Sequence, residues 1–203
     1  MLLYHDPRAP NPRRVRIFLA EKGVTVETIE VMIASGANRA PPYLVKNPLG
    51  LLPVLELDDG RILRESVAIS RYIEELHPEP NLFGTDSWER AQIEQWNRHA
   101  ELEVLWSVRD VFRNTHQFWA GRIKQSTEYG EIMRERTLER LDWLDQELGH
   151  RPYMAGERFS VADITAVCAI DFARVVNIRV DPAKHTHLAA WHQRVSERPS
   201  AKA

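Results

Sequence analysis

Two residue pairs in this chain could together hold a peptide. Leu52-Pro53 precedes the apolar run Val54-Leu55, and Glu65-Ser66 opens the stretch SVAISRYIEEL. A Leu-Pro step before a strand can present its backbone N–H and C=O to an extended peptide, which then pairs like one more antiparallel strand. Glu65 can pair with an ammonium group. Ser66, at a helix start, can offer its hydroxyl and its N–H to a carboxylate, and the helix dipole favours that negative charge. The spacing therefore suits a small peptide held by its main chain and by its amino-acid end.

These pairs need a scaffold, and the flanking residues predict one. Residues 2–5 (LLYH) suit a short buried strand. Asn11-Pro12 reads as a helix start, with Asn at the N-cap and Pro in the first turn. Val15, Phe18 and Leu19 recur at helical spacing, and Gly23 follows as a stop. Val24 to Val31 alternates as a second strand, and Ala34 to Lys46 reads as irregular. Val54–Leu57 and Arg61–Leu63 flank Asp58-Asp59-Gly60, a strong hairpin signal. Ile69, Ile73 and Leu76 line a helix that ends before Pro78. The order β-α-β-loop-β-β-α over residues 1–80 is an α/β layer.

Residues 78–86 (PEPNLFGTD) read as a linker, and from 87 to 203 the pattern is all helical. Ile93, Trp96, Ala100, Val104, Val108 and Val111 form one long stripe. Leu138, Leu141, Leu144 and Leu148 form another, ending at Gly149. Ser160 with Asp163 reads as a capping box at the head of an apolar helix of about 15 residues, suited to central burial. A last helix spans about Lys184 to Glu197.

Composition excludes several classes of function. The chain has 203 residues, 43% hydrophobic and 28% charged, with a net charge of −2, so an ordinary globular core is expected. Neither half concentrates basic charge, which argues against nucleic acid or an anionic membrane as partner. The single cysteine, Cys168, lies in VADITAVCAIDFA and reads as a core residue. It allows no disulfide within the chain and no all-cysteine metal site. No apolar run approaches the roughly 20 residues of a membrane span, and MLLYHDPRAP lacks the pattern of a signal peptide, so a cytoplasmic location is expected. The histidines at 116, 185, 187 and 192 form no metal constellation by spacing, and 185 and 187 read as surface residues.

Four separate pieces, LYHDPRAPNPRRVRIFLAEKG, NPLGLLPVLELDDGRILRESVAISRYI, GERFSVADITAVCAIDFA and LAAWHQRVSERPSAKA, resemble the soluble glutathione transferase family in order and spacing. The resemblance implies a thioredoxin-like first domain, an all-helical second domain (residues 87–203) and a homodimer. It also implies glutathione as co-substrate, a small electrophile as second substrate, and no further cofactor. Leu52-Pro53 takes the place of the family's cis-proline step, and Glu65-Ser66 matches its pair that receives the γ-glutamyl end. For the glycyl carboxylate, the position after Asn47-Pro48 holds Leu49 and Gly50, leaving Lys46 and Arg39 as the nearest cations.

Transferase chemistry requires the glutathione sulfur as thiolate near neutrality. Lowering a thiol pKa from about 8.5 by two units takes ~2.7 kcal/mol of preference for the anion. A helix N-terminus contributes ~0.3–1 kcal/mol when exposed and up to about 2 when partly buried. A hydrogen bond to a charged partner adds ~1.5–3 kcal/mol, so a positioned donor is expected as well. The family's usual Ser, Cys or Tyr is missing: Ala9, Pro10 and His5 stand at those positions, with Tyr4 adjacent. Pro10 and Pro12 lack N–H groups, leaving the Asn11 and Arg13 amides and the Asn11 side chain. Asn11 is the first candidate, and APN resembles the Thr-Pro-Asn of the Nu-class branch; it either donates to the thiolate or only caps the helix. His5 is the second, as donor or base.

The electrophile is expected beside the first long helix of the second domain, with Trp96, Trp106, Arg109 and Arg113 as lining candidates. Trp96 and Trp106 are ten residues apart, close to three helical turns, which would place them on one face. Conjugation of glutathione to a small electrophile is the leading expectation. Glutathione-dependent disulfide or peroxide reduction, and a non-catalytic glutathione-binding module, stand as alternatives.

Overall fold

A computed structural model describes all residues, 1–203. It divides into two compact units, Met1–Asn81 together with Pro199–Ala203, and Leu82–Arg198. The last five residues, expected with the helical domain, belong to the first unit. There the Arg13 guanidinium donates to the Ala201 carbonyl at 3.1 Å, and the Ser200 hydroxyl bonds Glu21.

The first unit is a four-stranded mixed sheet with helices. Its elements are β1 (Leu2–His5), α1 (Pro10–Glu21), β2 (Glu27–Glu30), α2 (Pro41–Leu44), β3 (Val54–Glu56), β4 (Ile62–Arg64) and α3 (Ser66–Leu76). The strand order is β2-β1-β3-β4, with β1 parallel to β2 and antiparallel to β3, and β3 antiparallel to β4. The pleat divides side chains between the two faces. Leu3 and its register partner Leu55 are buried on one face. Tyr4, Val31, Tyr43, Leu52 and Val54 form a cluster on the other. The hairpin turns at Gly60, φ 83°, a value glycine adopts without steric cost. At the far ends of α1 and α3, Lys22 pairs with Glu74, both buried, and also donates to the Pro80 carbonyl at 2.7 Å.

The stretch expected to be irregular is organised. A 3₁₀ turn at Ala37–Arg39 leads into α2, and side chains pin the return of the chain. Buried Asn38 donates to the Gly50 carbonyl at 2.7 Å, Tyr43 to the Leu51 carbonyl at 2.6 Å, and Asn47 to the same oxygen at 2.9 Å. Gly50 has φ 60°, and a Cβ there would lie 2.7 Å from the Asn38 carbonyl oxygen, so no other residue fits.

The second unit contains α4 (Ser87–Arg98), α5 (Trp106–Thr115), α6 (Thr127–Leu148), α7 (Val161–Ala173) and α8 (Thr186–Ser196). Residues His99–Leu105 join α4 to α5 through π-helical turns. The stripe foretells this. Trp96, Ala100, Val104 and Val108 repeat every four residues and are all buried, whereas an α-helix of about 3.6 residues per turn would carry such a repeat off one face. Wider i→i+5 turns bring it back. In α6 the buried line is Thr137, Leu141, Leu144 and Leu148, with Leu138 on the outer side.

α7 is buried along nearly its whole length, including Cys168, and its capping box is formed. Asp163 is fully buried. It accepts from the Ser160 and Met154 N–H groups, each at 2.9 Å, and from the Trp191 indole at 2.8 Å. Burial pushes its carboxyl pKa up, and these hydrogen bonds oppose the rise. His185, expected at the surface, is buried and bonds Asp142 at 2.7 Å. No helix is long and apolar enough to cross a membrane.

Candidate functional site

Strand register gathers the predicted peptide-holding residues at one end of the sheet. Tyr4 pairs with Val54, and Val54 with Arg64. One step beyond those pairs lie His5 at the end of β1, Pro53 before β3 and Glu65 after β4. Two strand spacings separate the outer members, roughly 10 Å. A fully extended tripeptide spans about the same distance.

The Leu52-Pro53 bond is cis, and both residues are buried. Neither the N–H nor the C=O of Leu52 is hydrogen-bonded within the chain. Across the sheet, Glu65 is the N-cap of α3, with φ 69° and ψ 124°. Its carbonyl accepts from Ile69 N–H at 2.9 Å, the first bond of the helix. Its carboxylate is exposed and makes no hydrogen bond or ion pair. Ser66 is the first helical residue rather than the cap. It is 5% exposed, and its hydroxyl makes no bond in the chain. A non-glycine residue at such a positive φ stores about 1–3 kcal/mol of strain, a cost usually met at functional positions.

The two cations proposed for the glycyl end differ. Lys46 is bound to Glu56 at 2.6 Å and lies 4.9 Å from the centre of the Tyr4 ring. Tyr4 donates to the same Glu56 oxygen at 2.6 Å. The Glu56 bond raises the Lys46 pKa, and the Lys46 bond lowers that of Glu56. Burial and the Glu56 bond raise the Tyr4 pKa, so this phenol is committed to the first unit's own structure. Arg39 is exposed, donates only to the Leu49 carbonyl at 3.0 Å and has no carboxylate partner. Arg64, not singled out from the sequence, is exposed beside Glu65 and donates to the Lys46 carbonyl at 2.8 Å.

The start of α1 departs from expectation. The N-cap is Ala9 and the helix begins at Pro10, so Asn11 is the second helical residue and does not cap. A proline at the first position is preorganised for the helix and displaces the start toward itself. Arg13 N–H is taken by the Ala9 carbonyl at 3.3 Å, and Ala9 N–H by that of Asp6 at 3.1 Å. With prolines at 10 and 12, the one unpaired N–H of this first turn is that of Asn11. Asn11 is exposed, and its Oδ1 accepts from the Arg14 guanidinium at 3.2 Å. A guanidinium only donates, so the contact fixes which end of the amide is oxygen and leaves the NH₂ unbonded. Arg14 is buried, 3% exposed. The i, i+3 spacing of Asn11 and Arg14 was the available signal for this pair.

His5 is buried, and its Nδ1 lies 3.1 Å from the Arg16 guanidinium. Burial, then the Arg16 charge, lower its pKa and hold the ring neutral. Because Arg16 only donates, Nδ1 accepts and the proton sits on Nε2. His5 can therefore donate from Nε2 but cannot act as a base through Nδ1. Asp6 accepts from Arg8 and Ile33 N–H groups, each at 2.9 Å, and so ties the β1–α1 loop to the chain after β2.

In the second unit the four proposed pocket residues do not lie together. Trp96 is buried, stacked on Trp143 at 5.5 Å and covered by Arg151 at 3.8 Å. Trp106 is half exposed, with Arg109 at 5.5 Å from its ring. Ten residues are not three turns here, because the π-helical turns intervene and rotate Trp106 away from the face of Trp96. Trp106, Arg109 and Arg113 keep i, i+3, i+7 spacing on α5, and Arg113 lies 4.7 Å from the Trp119 ring.

A first unit built on a four-stranded mixed sheet and an all-helical second unit are the architecture of the glutathione S-transferase fold. Residues 3–81 match the family described as glutathione S-transferase, N-terminal domain, and residues 109–199 match glutathione S-transferase, C-terminal domain. The chain belongs to the glutathione S-transferase family. It is 38% identical over 206 residues to glutathione S-transferase 2 of Saccharomyces cerevisiae, covering all of this chain and 88% of that protein. The crystal structure of Gtt2 from Saccharomyces cerevisiae superposes with a TM-score of 0.94 at 37% identity, covering 100% of this chain and 99% of that one. A glutathione S-transferase of class Gtt2 from Vibrio parahaemolyticus gives 0.87 at 36% identity, covering 100% and 96%.

Proposed function

We propose that this protein binds glutathione along the sheet end formed by Leu52-Pro53 and Glu65-Ser66 and transfers its thiolate to a small electrophile. The carrying observation is a set of unengaged groups at one sheet end: the Leu52 N–H and C=O, the Glu65 carboxylate and the Ser66 hydroxyl. Each has a complement on the tripeptide. Leu52 pairs with the cysteinyl main chain, Glu65 with the ammonium and Ser66 with the α-carboxylate. Arg39 is the better cation for the glycyl carboxylate, since Glu56 already holds Lys46. The Asn11 NH₂, oriented by Arg14, and the Asn11 N–H stabilise the sulfur as thiolate, with the neutral His5 Nε2–H as a further donor. Trp106, Arg109 and Arg113 on α5 are the residues proposed for the electrophile.

The similarity to glutathione S-transferases supports a transferase. We also propose a homodimer, favoured by exposed Val45 and Leu49 on one unit and by Leu102 and Ile132 on the other. A cytoplasmic location, with no cofactor beyond glutathione, belongs to the same reading.

Asn11→Ala tests the mechanism. The pKa of bound glutathione, followed by thiolate absorbance, should rise by about one to two units, the worth of one charge-assisted hydrogen bond of ~1.5–3 kcal/mol, while affinity changes little. An unchanged pKa removes Asn11 from the chemistry. Turnover of a chloronitrobenzene exceeding that of an organic hydroperoxide or a mixed disulfide supports conjugation over reduction.

A further inference from the structure

We propose that the turn Pro199–Lys202 is a clamp on α1 that holds the Asn11 donors against the glutathione sulfur, with Arg13, Glu21 and Ser200 as its positioning residues. The inference rests on the proposed function for the role of Asn11 and adds what keeps that residue in place.

α1 has little local means of fixing its own start. Its N-cap, Ala9, makes no side-chain bond to the first turn, and that turn carries no acidic residue. Prolines at 10 and 12 remove two N–H groups, and the bond from Arg13 N–H to the Ala9 carbonyl is long, 3.3 Å. A helix held so loosely at its start takes its position from tertiary contacts.

The charges on α1 mark where those contacts lie. Arg13 sits near the helix start, where the dipole disfavours a cation, and Glu21 ends the last turn, where it disfavours an anion. Both side chains reach one segment. The Arg13 guanidinium donates to the Ala201 carbonyl at 3.1 Å, and the Ser200 hydroxyl donates to the Glu21 carboxylate. Ser200 is buried, so its hydroxyl needs that acceptor. The turn is itself closed by the Ala203 N–H, which bonds the Ser200 carbonyl at 3.0 Å. From Arg13 to Glu21 is about 12 Å of helix, and at about 3.6 residues per turn the two lie within a quarter turn of each other. One contact would leave the helix free to swing about it. Two, at different heights on the same side, resist both sliding along the axis and rotation about it. Asn11 lies just before Arg13 at the pinned end. A hydrogen bond to the sulfur weakens steeply when misaligned, so loosening the clamp acts on the thiolate.

Ser200→Ala breaks one contact without changing any charge. In the full chain the pKa of bound glutathione, read by thiolate absorbance, should rise by about half a unit, so that turnover below neutral pH falls about threefold while KM for glutathione is unchanged. Amides of residues 14–19 should exchange with solvent several-fold faster. Glu21→Ala should match Ser200→Ala, and Glu21→Gln, which keeps an acceptor, should match the native protein. Arg13→Met should also raise the thiol pKa, and Arg13→Lys, which keeps the charge and a donor able to reach the Ala201 carbonyl, should restore it. A native thiol pKa in Ser200→Ala and Glu21→Ala, where Asn11→Ala raises it, overturns the clamp and leaves the proposed function standing. A lower urea midpoint or faster exchange with that pKa unmoved does the same, because it marks a contact that only stabilises. A native pKa in Asn11→Ala as well overturns both.

Discussion

Glu65→Gly separates stability from function at one residue. The native φ of 69° with ψ 124° lies outside the regions open to L-residues, so glutamate there carries about 1–3 kcal/mol of strain. Glycine removes the strain but loses roughly 0.5–1 kcal/mol to the greater freedom of the unfolded chain. The Glu65 side chain makes no hydrogen bond or ion pair that glycine would forfeit, and the carbonyl that accepts from Ile69 is retained. The balance is a gain of about 0–2 kcal/mol, or up to several degrees in thermal midpoint for a chain of this length. Binding should move the other way. Loss of a charge-assisted hydrogen bond to the ligand ammonium costs ~1.5–3 kcal/mol, roughly ten- to a hundredfold in glutathione affinity. Thermal melts in the absence of glutathione, with calorimetric titration of the same samples, read both effects. Glu65→Gln is the control: it keeps the strain, so its midpoint should match the native protein while its affinity falls. A glycine variant that melts well below the native protein refutes the strain argument. One that binds glutathione with native affinity refutes the placement of the γ-glutamyl end.

Three further outcomes follow from the first and second units. Arg39→Ala should weaken glutathione more than Lys46→Ala, because Glu56 already neutralises Lys46; the reverse order in calorimetry would assign the glycyl carboxylate to Lys46. Lys22→Met removes one half of the buried Lys22–Glu74 pair and should cost about 3–5 kcal/mol in urea unfolding, most of it recovered in Lys22→Met/Glu74→Leu. In the second unit, the Arg158 bond, with help from Thr85, lowers the Glu89 pKa to about 2. A depressed carboxyl stabilises the fold above its unfolded value near 4.5 and loses that contribution as pH falls toward 2. The pair is only half-buried, and solvent screening limits the effect to at most about 1 kcal/mol. Glu89→Gln should flatten that part of the acid limb of the stability curve, and an unaltered limb would show that the pair contributes nothing.

Much of the fold was legible because local chemistry and tertiary packing agree. The Asp58-Asp59-Gly60 turn, the Ser160/Asp163 capping box and the apolar α7 each carry their own signal, and the structure places all three. Misreadings arose where two local signals competed or where register decided. Asn11 before Pro12 looks like a cap, yet Pro10 is an equally good first helical residue and takes the start. Trp96 and Trp106 were aligned by assuming α-helical turns throughout, and the every-fourth-residue stripe between them was the overlooked evidence for wider ones. The loop at 34–50 has no periodicity because side chains bonding carbonyls, from Asn38, Tyr43 and Asn47, hold it together. In the site, Leu52, Pro53, Glu65 and Ser66 could be picked out by type. That they share one sheet end, and that Arg14 and Arg16 hold Asn11 and His5, needed the strand register and the side-chain positions.

In the proposed mechanism the start of α1 takes over the task of the family's usual serine, tyrosine or cysteine. A helix N-terminus normally offers several unpaired N–H groups, and here two prolines and two backbone bonds reduce them to one. That remaining N–H belongs to Asn11, whose side-chain oxygen accepts from Arg14 and whose NH₂ is also unbonded. One residue thus supplies two donors at the positive end of a helix. The helix terminus contributes ~0.3–1 kcal/mol and a single bond to the anion ~1.5–3 kcal/mol, together spanning the ~2.7 kcal/mol that a two-unit fall in thiol pKa requires. A hydroxyl would add an acceptor as well as a donor. An amide whose oxygen is already occupied presents donors alone, which suits a group meant to stabilise a thiolate rather than to take a proton from the thiol.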